Sequence, residues 1–236
     1  MRSVLYTPGN NYRMIEKAPT LGADVVVLDL EDSVPPAEKE TARVMVRGAI
    51  KDVAKGGSEV YVRVNGWETG LTEDDLEYVV QEGLNGIVLP KTSSKEDVMR
   101  LDAKLSELER KRTIEPGSIA IQLLIETAKG VINAYEAATA SKRVNSLVFG
   151  AVDYTRDMRV KLTKEGQEIL IARSLVPIAA RAAGLIAIDY PYVAYTDVEG
   201  FEKDTMFGKQ LGYEGRMLIH PNQIEPSHRI YSPSKE

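Results

Sequence analysis

A single (β/α)8 (TIM) barrel spanning residues 1–236 is the fold this sequence predicts, and three observations predict it. Eight short apolar runs occur along the chain, nearly all alternating with helix-like stretches. Alternation of this kind argues for a parallel sheet, and eight such units close naturally into a barrel. The runs are also rich in β-branched residues, as in Val25-Val26-Val27-Leu28, which suits strands covered on both faces. Finally, no Gly-x-Gly-x-x-Gly turn follows the first run, so the competing doubly wound open sheet lacks its nucleotide turn. No internal repeat or linker divides the chain.

The elements are expected as follows. Val4-Leu5-Tyr6 forms the first strand, closed by Pro8-Gly9, with a helical stretch at 14–17. The second strand is built on Val25 to Leu28 and opens into Asp29, Glu31 and Asp32. Pro35-Pro36 precedes a helix over 37–54, stopped by Gly56-Gly57. The third strand centres on Val60, Val62 and Val64 and turns at Asn65-Gly66; Asp74-Asp75 then opens a helix reaching Glu82. Gly86 to Leu89 is the fourth strand, followed by Pro90-Lys91. If Ser93 is the N-cap, Ser93 and Glu96 form a capping box for a helix reaching Lys111. The fifth strand covers 120–125 and its helix 128–140. The sixth covers 146–150, then a polar loop leads to a helix over 167–183. The seventh strand is 186–189, with a helix over 199–211, and the eighth is Met217-Leu218-Ile219, ending at His220-Pro221.

Composition narrows the function. The chain is 43% hydrophobic and 28% charged, with a net charge of −5. No basic run stands out, which does not favour nucleic acid or an anionic membrane as partner. The absence of cysteine excludes disulfides, thiolate chemistry and thiolate zinc sites. His220 and His228 are the only imidazoles, so a bound metal would be held by oxygen. No run approaches the roughly 20 apolar residues of a membrane span. The N-terminus lacks the apolar region of a signal peptide, and the expected compartment is the cytoplasm.

In such barrels the active site lies at the carboxyl ends of the strands. Those ends carry Asp29, Glu31 and Asp32; Arg63 and Asn65; Lys91; Glu126; Asp153; Asp189; and His220. A ring this rich in carboxylates calls for a positive charge. Glu126 alone could as well cap the next helix or pair with Lys91 or Arg63. Adjacent strands lie about 4.8 Å apart, however, so Glu126 and Asp153 together can share one ion. Hard oxygen donors favour Mg2+, with Mn2+ as a substitute. Glu31 and Asp32 can hold the metal's waters. Arg63, inward on an apolar strand, suits a carboxylate or a developing enolate oxygen, or an ion pair with one of the acids. Lys91 is as readily a structural ion pair as a reactive amine, and acids beside it keep it protonated. His220 reads as structural. Trp67 is expected to line the mouth, and backbone N–H groups over Gly150 to Asp153 are expected to approach a substrate carboxylate.

Seven segments then carry a resemblance: Arg2-Ser3-Val4-Leu5-Tyr6-Thr7-Pro8-Gly9, Leu28-Asp29-Leu30-Glu31-Asp32-Ser33-Val34, Val62-Arg63-Val64-Asn65, Leu89-Pro90-Lys91, Leu124-Ile125-Glu126-Thr127, Phe149-Gly150-Ala151-Val152-Asp153 and Ile219-His220-Pro221-Asn222-Gln223-Ile224. In this order the chain resembles the citrate lyase beta-subunit-like family of the HpcH/HpaI aldolase group. The resemblance implies a (β/α)8 barrel that breaks or forms a carbon–carbon bond between an acetyl-CoA thioester and an α-keto acid. It implies Mg2+ on Glu126 and Asp153, and Arg63 on the substrate and its enolate. Catalytic duty is expected of Arg63, Glu31 and Asp32, and substrate binding of Arg63 and Glu126. Arg13, just after the first strand's loop, is the candidate CoA contact. A homotrimer or homohexamer is implied. Malyl-CoA lyases of this group carry a C-terminal lid that lends an acid to a neighbouring subunit; this chain ends soon after Gln223, so the lid is expected to be absent and the general base is left unassigned. Two rivals stand beside this reading: a class II pyruvate-type aldolase acting on free 2-oxo acids, and a non-catalytic accessory subunit of a lyase complex.

Overall fold

In the computed structural model of the chain, which describes residues 1–233, eight parallel strands pair in chain order and the last returns to the first. They are β1 Ser3–Pro8, β2 Val25–Asp29, β3 Glu59–Arg63, β4 Gly86–Leu89, β5 Ala120–Ile125, β6 Val144–Phe149, β7 Ile186–Asp189 and β8 Gly215–Leu218. The expected (β/α)8 barrel is therefore the fold. Around it lie α1 Tyr12–Lys17, α2 Lys39–Ala54, α3 Thr72–Val79, α4 Lys95–Arg112, α5 Ala128–Ile132, α6 Ala134–Ala138, α7 Ala151–Asp157, α8 Leu170–Ala182, α9 Val198–Leu211 and α10 Ile224–Tyr231. Among the described residues no helix is long and apolar enough to cross a membrane.

Strand residues alternate between two cores, because successive side chains point to opposite faces. Val4, Tyr6, Val25, Val27, Tyr61, Val88, Leu124, Val148, Ile188 and Met217 fill the barrel interior. Val26, Leu28, Val60, Val62, Ile87, Leu123 and Leu147 pack instead against the helices. The inward parity of β2, β3 and β5 continues to Asp29, Arg63 and Glu126, so the barrel's own pleat delivers these three groups to its carboxyl-end mouth.

Four local expectations are corrected. The stretch 128–140 is not one helix: it breaks at Asn133, whose side-chain amide donates to the Ser93 carbonyl at 2.9 Å. The polar loop after β6 opens with a helix, α7, and the chain adds α10 after β8. Ser94, not Ser93, is the N-cap of α4, and its box partner is Asp97; the Ser93 N–H also donates to Asp97. Asp189 ends β7 but carries outward parity, one residue beyond the inward Ile188. It meets Arg173 of α8 at 2.5 Å and Arg216 of β8 at 3.8 Å, and both arginines also pair with Asp204 of α9. This acid clamps helices to the barrel and does not belong to the mouth.

Arg173 and Asp189 are both buried, and truncating one partner of a buried pair strands the other's charge, at about 3–5 kcal/mol. Arg173→Ala should lower unfolding stability by that order in urea titration. A loss below about 1 kcal/mol, the scale of a surface pair, would remove the clamp role.

Candidate active site

Asp29 and Arg63 set the geometry of the mouth. Asp29 accepts from Arg63 Nε at 2.7 Å and Nη2 at 2.6 Å, a bidentate pair. It also accepts from the Glu31 N–H, the Ser33 N–H and the Ser33 hydroxyl. Burial would raise the Asp29 carboxyl, but Arg63 and these donors override it and hold the group below the ordinary carboxylate range. Arg63 Nη1 then reaches Glu31 at 3.0 Å and lies 3.8 Å from Asp32. The Tyr6 ring lies against the guanidinium, 5.1 Å from its centroid. Arg63 is thus both an ion pair and a mouth residue.

Lys91 ties the acids together. Its ammonium pairs with Glu31 at 2.9 Å and Glu68 at 3.4 Å, while its N–H donates to Glu126 Oε1 at 2.8 Å. Its φ of +49° is a left-handed conformation that is costly for a residue with a Cβ. Burial opposes the lysine's charge, yet Glu31 raises its pKa above the ordinary value, so the ion-pair reading of this lysine holds and a free amine nucleophile does not.

Glu126 is almost wholly buried, at 2% exposure. Burial, reinforced by Glu31 and Asp153 and only partly countered by Arg63, pushes its pKa well above the usual carboxylate value. Among the described residues nothing donates to its Oε2. A Cβ placed on Gly150 would stand 2.6 Å from that oxygen, so Gly150 is needed where Glu126 folds across the end of β6. Asp153 is not on the strand end: it sits in the first turn of α7, paired with Arg156 at 2.5 Å. Both acids line one cavity of about 400 Å3. Among the described residues no group of three or more acids and histidines converges as ligands; the donor set is two carboxylates. A carboxylate oxygen with no donor among the described residues, on a side chain that lines the cavity with a second carboxylate, fits Mg2+, which takes one or two carboxylates and fills its other positions with water and substrate oxygens.

The same cavity brings in Asp29, Asp32 and Arg63, with Tyr6, Leu124 and Met217 inside the barrel and Met14, Val152, Pro191 and Ile219 towards its opening. Glu31 touches it only through Arg63 and borders a neighbouring cavity with Lys39 and Lys91. Arg13 lies exposed on α1, next to Met14 but outside the lining. Trp67 is not at the mouth: its indole donates to the Asp97 carbonyl and Arg100 stacks on it. His220 is structural, stacked on Tyr195 and bonded to Asn222. The Gly150 N–H is taken by the Ile125 carbonyl, so it does not face a ligand. Tyr6 was not singled out by the strand-end pattern; its inward parity with Val4 was the available signal.

Residues 2–221 match the model of the HpcH/HpaI aldolase/citrate lyase family. The chain belongs to the HpcH/HpaI aldolase/citrate lyase family. It is 38% identical over 235 residues to the citrate lyase subunit beta of Leuconostoc mesenteroides, covering 100% of this chain and 78% of that protein. It is 34% identical to the human mitochondrial citramalyl-CoA lyase, covering 100% of this chain and 72% of that one. The Mycobacterium tuberculosis citrate lyase beta subunit, solved with oxaloacetate and magnesium, superposes with a TM-score of 0.82 at 28% identity, over 98% of this chain and 97% of that chain. The protein is a lyase of this family.

A raised folded pKa at Glu126 means the fold favours the protonated form. That stability is complete below the ordinary value of 4.5 and is lost as pH rises through the raised one. Glu126→Gln, which keeps the acceptor for the Lys91 N–H, should therefore gain Tm over the parent as pH climbs from about 5 to about 8 without metal. A pH-independent difference in Tm would contradict the burden placed on this carboxylate.

Proposed function

We propose that this protein is a Mg2+-dependent carbon–carbon lyase that cleaves, or forms, a β-hydroxyacyl-CoA such as citryl-CoA, giving acetyl-CoA and an α-keto acid. The observation that carries the reading is Glu126: a buried, cation-poor carboxylate beside Asp153, opening onto the cavity that also holds Arg63. The substrates named for the human relative and the oxaloacetate and magnesium named for the mycobacterial one support it.

Glu126 and Asp153 would hold the metal, with Mn2+ as substitute. When bound, the metal supplies a Lewis acid for the hydroxyl and carboxylate oxygens of the substrate. Arg63 supplies the rest of the electrostatics. Held by Asp29, it presents its remaining N–H groups to charge that develops on the departing acetyl thioester as an enolate. Its bidentate clamp means this donor does not reorient during reaction. Glu31 positions Arg63 and Lys91 together. Outside the pair assigned to the metal, Asp32, 48% exposed and only loosely paired at 3.8 Å, is the lining acid least committed to a cation, and we place it to exchange a proton with substrate. Arg13, exposed near the cavity opening, serves the CoA moiety. The same reading carries a cytoplasmic homotrimer or homohexamer.

Purified protein with Mg2+ should cleave citryl-CoA, or another member of a panel with malyl-CoA and free 4-hydroxy-2-oxo acids. Turnover of the free acids alone would favour the class II aldolase reading, and no turnover would favour an accessory subunit. Asp153→Asn should weaken Mg2+ binding by at least about tenfold in calorimetry; an unchanged Mg2+ isotherm would remove Asp153 from the ligand set. Arg63→Lys keeps the charge but loses the fork. It should lower kcat by about 100-fold, the scale of one lost oxyanion donor, and parent-like turnover would overturn the role of Arg63.

A further inference from the structure

Five buried side-chain atoms lack a hydrogen-bond partner among the described residues: Tyr6 Oη, Glu31 Oε2, Gln122 Oε1, Arg216 Nε and Tyr231 Oη. Glu31 Oε2 is nonetheless ion-paired with Arg63. Of the five residues, Tyr6 alone lines the cavity that holds Glu126 and Asp153. Tyr6 is 8% exposed, and its inward parity on β1 directs it to the barrel interior with Val4.

A buried hydroxyl with no partner destabilises the fold, and phenylalanine would fill the same space without that penalty. The ring itself is already used, because Arg63 lies over it. The hydroxyl is not. A phenol is neutral at ordinary pH and can donate. Asp29 already has Arg63 and Ser33, and Glu126 Oε1 has the Lys91 N–H; Glu126 Oε2 has no donor among the described residues, but the proposed function assigns that oxygen to the metal. What the hydroxyl lacks is an acceptor; the oxygen itself is closed to solvent, and its residue borders the cavity from which an acceptor can approach.

We propose that the Tyr6 hydroxyl donates a hydrogen bond to an oxygen of the bound α-keto acid, making Tyr6 a substrate-binding residue beside Arg63. The proposal rests on the reading of the cavity as an α-keto acid site. It gives the pocket a neutral donor on the barrel side, next to the charged donor Arg63. A site with such a donor discriminates strongly against a ligand lacking the matching oxygen, since the hydroxyl is then left unpaired.

The test compares the full chain with Tyr6→Phe by thermal denaturation and by calorimetric titration with oxaloacetate and with pyruvate, each in excess Mg2+. Without ligand, Tyr6→Phe should melt at the parent's Tm or above it. Its Kd for the keto acids should rise by about 10- to 100-fold, the scale of a hydrogen bond to a charged group, while its Mg2+ isotherm without keto acid stays unchanged. If the parent binds and Tyr6→Phe binds equally well, the role of Tyr6 is overturned and the site reading stands. A lower ligand-free Tm in Tyr6→Phe also overturns it, because the hydroxyl then serves the fold. If the parent binds neither keto acid with Mg2+, the site reading and the Tyr6 role fall together.

Discussion

The Asp29–Arg63 pair is the constraint on which the mouth of this barrel depends. The two groups come from neighbouring strands in register, Asp29 opposite Arg63, and each is carried inward by the pleat of its own strand. In a dry setting a bidentate carboxylate–guanidinium contact is geometrically demanding, and it is stable only when the remaining valences are filled. Here they are: Ser33 and the Glu31 N–H complete Asp29, while Glu31 and the Tyr6 ring flank Arg63. The loop after β2 is therefore folded around one carboxylate. Glu31 arrives where it can pair with Lys91, and the Lys91 backbone in turn reaches Glu126. One pair thus propagates order across three strand ends.

The result is an asymmetry of charge compensation. Asp29 is over-supplied with donors and stays ionised, whereas Glu126, comparably buried, has one backbone donor and acidic neighbours. Two carboxylates separated in this way by their surroundings take different jobs, one structural and one available to a ligand. The lysine that might have neutralised Glu126 turns its ammonium to Glu31 and Glu68 and offers Glu126 only its N–H, which leaves Glu126 without an ion pair among the described residues.

The barrel was legible in the sequence because eight apolar runs have no comparably compact alternative. Arg63 and Glu126 were legible because they close such runs. What escaped needed tertiary information or a closer count. Asp189 ends a strand just as Glu126 does, yet it faces the helices; only the one-residue parity from Ile188 separates the two cases, and its partners Arg173 and Arg216, which it shares with Asp204, lie on other elements. Asp153 was read as the end of a strand because Ala151 and Val152 prolong the apolar run of β6, while the chain has already turned into α7 after Gly150. Trp67 looked like a mouth residue by proximity to Asn65, but a stacked arginine and a carbonyl on α4 hold it aside. Tyr6 reads as one more apolar strand residue, and its unsatisfied hydroxyl is visible only once neighbours are counted.

The cavity's division between its charged part and its apolar opening has a consequence for how this scaffold can diversify. Asp29 and Arg63 are bound to each other at the ends of their strands, and Glu126 is tied to the Lys91 backbone, so a change at Asp29 or Arg63 disturbs the fold of the mouth itself. Met14 of α1, Val152 of α7, and Pro191 and Ile219 just beyond β7 and β8 line the opening, and Met14, Val152 and Ile219 are partly exposed. Substitutions there alter the size and shape of what enters without breaking an ion pair. Drift in substrate choice among descendants of such a chain would accumulate at these positions, while the reaction itself stays the same.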